Sequence, residues 1–126
     1  MSSLCVGVGT CRDVAAAEVL ALVERTVAEA GAATGAVSVL ATVDVRAAEP
    51  GVLAAAARLG VPVRAYAPHE LAAQPVPHPS DAARRALGTA GVAEAAALLA
   101  AGPGAVLVVA KRKSAQATCA IARGPA

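Results

Sequence analysis

Apolar positions along the chain alternate between two periods, and their order predicts a short βαβαβ run followed by a second, less regular half. Leu4-Cys5-Val6-Gly7-Val8-Gly9 reads as a buried strand ending in glycine. From Val14 to Ala30, Val19, Leu22, Val23 and Val27 recur at helical spacing, with Glu18, Arg25 and Glu29 on another face. Val37 to Val43 is a β-branched run and a second strand. A helix from Pro50 to Leu59 follows, stopped by Gly60 and Pro62. Val61 to Ala67 is the third strand. Strands alternating with helices imply parallel pairing through right-handed crossovers.

The second half changes character. Pro68, Pro75, Pro77 and Pro79 punctuate residues 67–80 and exclude a long helix or a central strand there. Leu71 and its neighbours are expected to form one helical turn. Ser80 or Asp81 is expected to cap a short helix over Ala82 to Leu87, ended by Gly88. A further helix runs over Val92 to Ala101 and ends at Gly102-Pro103-Gly104. Ala105 to Ala110 is a strong strand, Lys111-Arg112-Lys113-Ser114 reads as a polar turn, and Ala115 to Arg123 closes a β-hairpin. The expected fold is α/β, with a mostly parallel sheet of about five strands in a single domain spanning residues 1–126.

Composition narrows the function classes. The 126 residues are 57% hydrophobic, yet Phe and Trp are absent and Tyr66 is the one aromatic, so the core is aliphatic. A net charge of +2, with no aromatics among the basic residues, argues against nucleic acid. No apolar run approaches the ~20 residues of a membrane span. The start, MSSLCVGVG, lacks a charged n-region with a long apolar stretch behind it, so a cytoplasmic protein is expected. Cys5, Cys11 and Cys119 are odd in number and fit neither a disulfide framework nor a zinc motif. Cys5 and Cys119 lie in strands and read as small buried hydrophobes, whereas Cys11 falls in a loop and is a candidate for chemistry. His69 and His78 sit in the proline-rich segment without a metal-site spacing and read as loop residues. No metal and no cofactor are expected.

Two places carry candidate chemistry. Gly7-Val8-Gly9-Thr10-Cys11-Arg12 joins the first strand to the first helix. Arg12 occupies the third glycine position of a dinucleotide fingerprint, which leaves a tight turn, N–H groups that favour an anion, and a guanidinium able to fork to a carboxylate. Thr42 to Leu53 then gathers Asp44, Arg46 and Glu49 where a strand gives way to a helix, and in an α/β sheet that edge is where ligands sit. The alternative for this cluster is a surface turn whose acids cap the next helix. Lys111, Arg112 and Lys113 follow a strand in the same way. No nucleophile elbow, P-loop or HExxH motif is present.

Taken in order, Gly7-Val8-Gly9 with Arg12, Thr42-Val43-Asp44-Val45-Arg46, Glu49-Pro50-Gly51-Val52-Leu53, Leu59-Gly60-Val61-Pro62, Glu70-Leu71, Pro79-Ser80, Gly91-Val92-Ala93-Glu94 and Lys111 resemble the cobalamin-biosynthesis family known as CobE or CbiG C-terminal domain. The resemblance implies a three-layer α/β/α sandwich and a place in vitamin B12 biosynthesis. Longer relatives look like hydrolases that open the lactone of cobalt-precorrin-5A and release acetaldehyde. Where the family commonly reads Cys-Arg-(Arg/Lys)-Gly, this chain has Thr10-Cys11-Arg12-Asp13, and Arg46 replaces the usual lysine. The expected ligand is a corrin-ring intermediate, whose carboxylates surround an apolar ring. Gly7, Gly9, Thr10, Cys11, Arg12, Thr42, Asp44, Arg46, Glu49 and Lys111 are its expected binding residues. An enzyme reading makes Asp44 or Glu49 the general base and Arg12 a charge stabiliser. A third reading is a non-catalytic partner of other pathway enzymes. Membrane partners are not expected, and a homo-oligomer is compatible with the sequence.

Overall fold

The computed structural model describes residues 3–76 and 89–124. One five-stranded sheet organises them. Its strands are β1 (Leu4–Thr10), β2 (Val37–Val43), β3 (Val63–Tyr66), β4 (Val106–Lys113) and β5 (Ala117–Arg123), in the order β3-β2-β1-β5-β4. The helices are α1 (Ala16–Glu29), α2 (Asp44–Ala47), α3 (Pro50–Leu59), α4 (Pro68–Ala73) and α5 (Thr89–Ala101). Strand β1 is central and every residue in it is buried, which explains its continuous rather than alternating apolar pattern.

Successive strand residues point to opposite faces, and β1 uses the two faces differently. Val6 and Val8 pack with Val19, Leu22 and Val23 of α1 and Val52 of α3. Gly7 faces the other way, where a Cβ would stand 2.6 Å from the Ala97 backbone nitrogen of α5. Alanine on α5 opposite glycine on β1 lets helix and sheet approach closely. This arrangement suits a core without large aromatics. A second apolar cluster forms on that side from Ala41, Val43, Leu71, Val92, Ala95 and Ala96.

The structure corrects the expectation of a mostly parallel sheet. It is mixed: β1–β2 and β2–β3 are parallel, whereas β1–β5 and β4–β5 are antiparallel. The reason is the C-terminal hairpin, which adds β5 antiparallel beside β1 and β4 beyond it as the edge strand. The run Lys111-Arg112-Lys113 is not a turn but the end of β4. It is held extended because Arg112 pairs with Cys119 and Lys113 with Thr118. The chain between Val43 and Pro50 forms α2, a four-residue helix too short to leave a period. Helix α3 has the expected limits, with Pro50 in its first turn and Gly60 at φ +74° in the left-handed C-terminal position. The expected helix over Ala82 to Leu87, its cap at Ser80 or Asp81, and His78 lie outside the described residues.

Candidate site at the carboxyl edge of the sheet

Because β5 alone runs against its neighbours, the carboxyl ends of β1, β2, β3 and β4 share one edge. The connection from β1 to β2 passes over one face through α1, and the return to β4 passes over the other through α5. Such a divergence opens a crevice beyond the strand ends. The segments carrying Arg12 and Arg46 leave β1 and β2 at this edge, and Lys111 lies within β4, two residues before its end. Three inter-strand spacings separate β2 from β4, roughly 14 Å.

The loops after β1 and β2 are tied together. The Asp13 N–H donates to Oε1 of Glu49 at 2.9 Å. Oε2 of the same carboxylate lies 3.5 Å from Nη1 of Arg46. Asp13 is the one non-glycine with positive φ among the described residues, at 62°, and the Glu49 bond helps hold that turn. Gly51 completes the junction, since a Cβ there would collide with the Val14 carbonyl oxygen. Glu49 is therefore engaged on both oxygens. Asp44 is exposed and makes no ion pair among the described residues, as does Arg12. Cys11 is exposed, and its N–H donates to the Gln116 carbonyl of the hairpin turn at 3.0 Å.

Beneath these loops the hydroxyls of Thr10 and Thr42 are buried without a hydrogen-bond partner. Thr10 follows Val6 and Val8 by even steps. Thr42 follows Leu40, which pairs with Val6, so both threonines belong to the α1 face of adjacent strands. In the segment after β2 two apolar side chains are exposed, Val45 at 68% and Leu53 at 48%. Gly9 is buried and its carbonyl accepts from the Thr118 hydroxyl at 3.4 Å. Gly7 lies below the edge, covered by α5.

At the other end of the edge, the Lys111 N–H donates to Oε2 of Glu94 at 3.0 Å. Glu94, on α5, is the one buried charged side chain among the described residues. Sequence reasoning did not place it in the site, although a single acid within the apolar helix run Val92–Ala101 was the available signal. The rest of the run is tied to α1, by the Arg112 side chain and the Lys113 backbone. Arg112 forms an ion pair with Glu29 at 2.9 Å, and the Lys113 carbonyl accepts from Arg25 at 3.1 Å. The hairpin turn is also held by Glu18, which accepts from the Ser114 hydroxyl and from the Gln116 N–H, the latter at 2.6 Å. These bonds lower the Glu18 pKa, with the Ser114 contact the larger cause.

The remaining candidates stay apart from this cluster. Cys5 and Cys119 are buried, and burial pushes the Cys119 thiol up to about 12. His69 is exposed on α4. Among the described residues no group of three His, Cys, Asp or Glu is placed to hold a metal, and no helix is long and apolar enough to cross a membrane. A groove of about 710 Å³ runs along β4 between Val106, Val108, Ala110, Leu98, Gln74 and Val76. Its described lining includes no cation and neither Arg12 nor Arg46.

Comparison with known proteins agrees with this architecture. The family described as cobalamin synthesis G C-terminus matches residues 4–122. Protein CobE of Sinorhizobium sp is 46% identical over 99% of this chain and 82% of its own length. A cobalt-precorrin-5A hydrolase of Priestia megaterium is 34% identical over 97% of this chain, which spans only 32% of that protein. Among solved structures, CobE from the cobalamin (vitamin B12) biosynthetic pathway superposes with a TM-score of 0.82 at 36% identity, covering 97% of this chain and 93% of that one.

Proposed function

This chain belongs to the CobE/CbiG C-terminal family of cobalamin-biosynthesis proteins, and from that premise we propose that it binds a corrin-ring intermediate at the carboxyl edge of its sheet. The supporting observation is the common edge at which Arg12 and Arg46 follow β1 and β2, with Lys111 near the carboxyl end of β4 and β2 and β4 about a macrocycle's width apart. A corrin precursor presents acetate and propionate carboxylates around an apolar ring. Guanidinium and ammonium groups meet the former, and Val45 and Leu53 offer exposed apolar surface to the latter. The contributions are unequal. Arg46 is shared with Glu49, whereas Arg12 and Lys111 make no side-chain ion pair among the described residues. Binding fits the geometry better than catalysis, because Glu49 is already engaged and Asp44 is solvated.

Spectroscopic titration with a hydrogenobyrinate-type corrinoid tests the reading. Arg12→Ala and Lys111→Ala are each expected to weaken binding about tenfold, and Arg46→Ala less. No binding by the unmodified protein, or equal affinity in all three variants, rejects it. The relative that is a cobalt-precorrin-5A hydrolase favours one alternative, a ring-lactone hydrolase with Asp44 as base. Under that alternative the incubated substrate is opened, and Asp44→Asn abolishes the opening.

A further inference from the structure

The two strands of the C-terminal hairpin do not keep step. Leu107 pairs with Ala122 and Arg112 with Cys119, so β4 spends five residues where β5 spends three. The shifts fall between Leu107 and Val109 and between Val109 and Arg112. Each inserts one extra residue, the signature of a β-bulge, which leaves a backbone group unpaired and re-aims the side chains beyond it. Lys111 sits in the second bulge, and its N–H is answered from another layer, by the Glu94 carboxylate of α5 at 3.0 Å.

A carboxylate buried to 6% relative exposure is costly unless it is bonded. Glu94 has no ion pair among the described residues, and a backbone N–H is its described partner. We propose that Glu94 is a positioning residue: by capping the bulge it fixes the local register of β4 and so presents the Lys111 ammonium, near the carboxyl end of that strand, toward an acidic substituent of the ligand. The bulge also sorts the basic run. Arg112 is committed to Glu29 of α1, whereas the Lys111 and Lys113 ammoniums have no ion pair among the described residues, and Lys111 is the one that the Glu94 bond positions. This inference rests on the corrinoid-binding reading for its ligand, but the bulge itself is tested without one.

The test uses the whole chain with Glu94→Met, which keeps volume and helix propensity but removes the acceptor, and Glu94→Gln, which keeps an acceptor oxygen. In Glu94→Met the Lys111 amide should exchange with solvent faster, and in Glu94→Gln it should stay protected. Titration with a hydrogenobyrinate-type corrinoid should weaken about tenfold in Glu94→Met, with a shallower salt dependence, and recover in Glu94→Gln. Lys111→Ala added to Glu94→Met should cost nothing further, since both act through one contact. Unchanged Lys111 protection in Glu94→Met overturns the proposal, as do independent, multiplying losses in the double variant. If the unmodified protein binds no corrinoid, the binding reading fails and the exchange measurement still decides the role of Glu94. Should Glu94→Met not fold, faster Lys111 exchange in Glu94→Gln without loss of fold would count against the proposal, because the acceptor is still present.

Discussion

Glu49 and Asp13, 36 positions apart, are joined by a 2.9 Å bond from the Asp13 N–H to the Glu49 carboxylate, and this bond couples the loops that follow β1 and β2. A charged acceptor on a backbone donor is worth more than a neutral one, but the site is partly open to water. Glu49→Ala is therefore expected to cost about 1 kcal/mol in denaturant titration. The neighbouring backbone gives a sharper check. Asp13 at φ 62° occupies the left-handed region that glycine enters freely and β-branched residues resist. Asp13→Gly should change stability by less than about 0.5 kcal/mol, whereas Asp13→Val should lose about 2 kcal/mol. Equal losses in the two would mean that the turn does not take this conformation in solution.

The contact of Gly7 with α5 leads to a second expectation. A Cβ at Gly7 runs into the Ala93 carbonyl and comes within 2.6 Å of the Ala97 nitrogen. Both are backbone atoms, so the helix itself must move. Gly7→Ala should cost at least about 3 kcal/mol, or prevent folding. Gly35→Ala is the matched control, because nothing lies within 4 Å of a Cβ there and its φ is not positive. It should stay within about 0.5 kcal/mol of the parent by the same denaturant measurement. A mild Gly7→Ala would mean that α5 does not press on the central strand.

These contacts also separate what the residues announce from what only folding reveals. Strand β2 and helix α3 were legible because a β-branched run and a Pro50-to-Gly60 frame are local signals with local causes. The shared edge of Asp44, Arg46 and Glu49 was equally visible, since position after a strand is a property of order along the chain. Long-range pairing was not. That β5 enters beside β1 follows from contacts such as Thr10 with Ala117, which no period encodes. Lys111 to Lys113 looked like a turn because charge outweighed pattern. They are strand because Glu94 and Glu29, from two different helices, accept their polar groups.

The hairpin turn carries a pH dependence whose sign follows from Glu18. Its carboxylate accepts from the Ser114 hydroxyl and the Gln116 N–H, and both bonds favour the ionised form, so the pKa in the folded chain lies below the ordinary 4.5. A carboxyl that holds its proton less tightly when folded adds stability above its unfolded value, and loses that addition as pH falls through the folded value. Glu18→Gln should accordingly lower the melting temperature at neutral pH, with the gap to the parent closing as the solution is acidified below about 4.5. Ser114→Ala should shrink the same gap at neutral pH, because it removes the larger of the two contacts. The turn is also bonded to the β1 loop through Cys11, so loosening it should speed exchange of the Cys11 amide, whose acceptor is the Gln116 carbonyl. A Glu18→Gln protein with the parent's melting temperature from neutral to acid pH would show that the carboxylate does not clamp the hairpin.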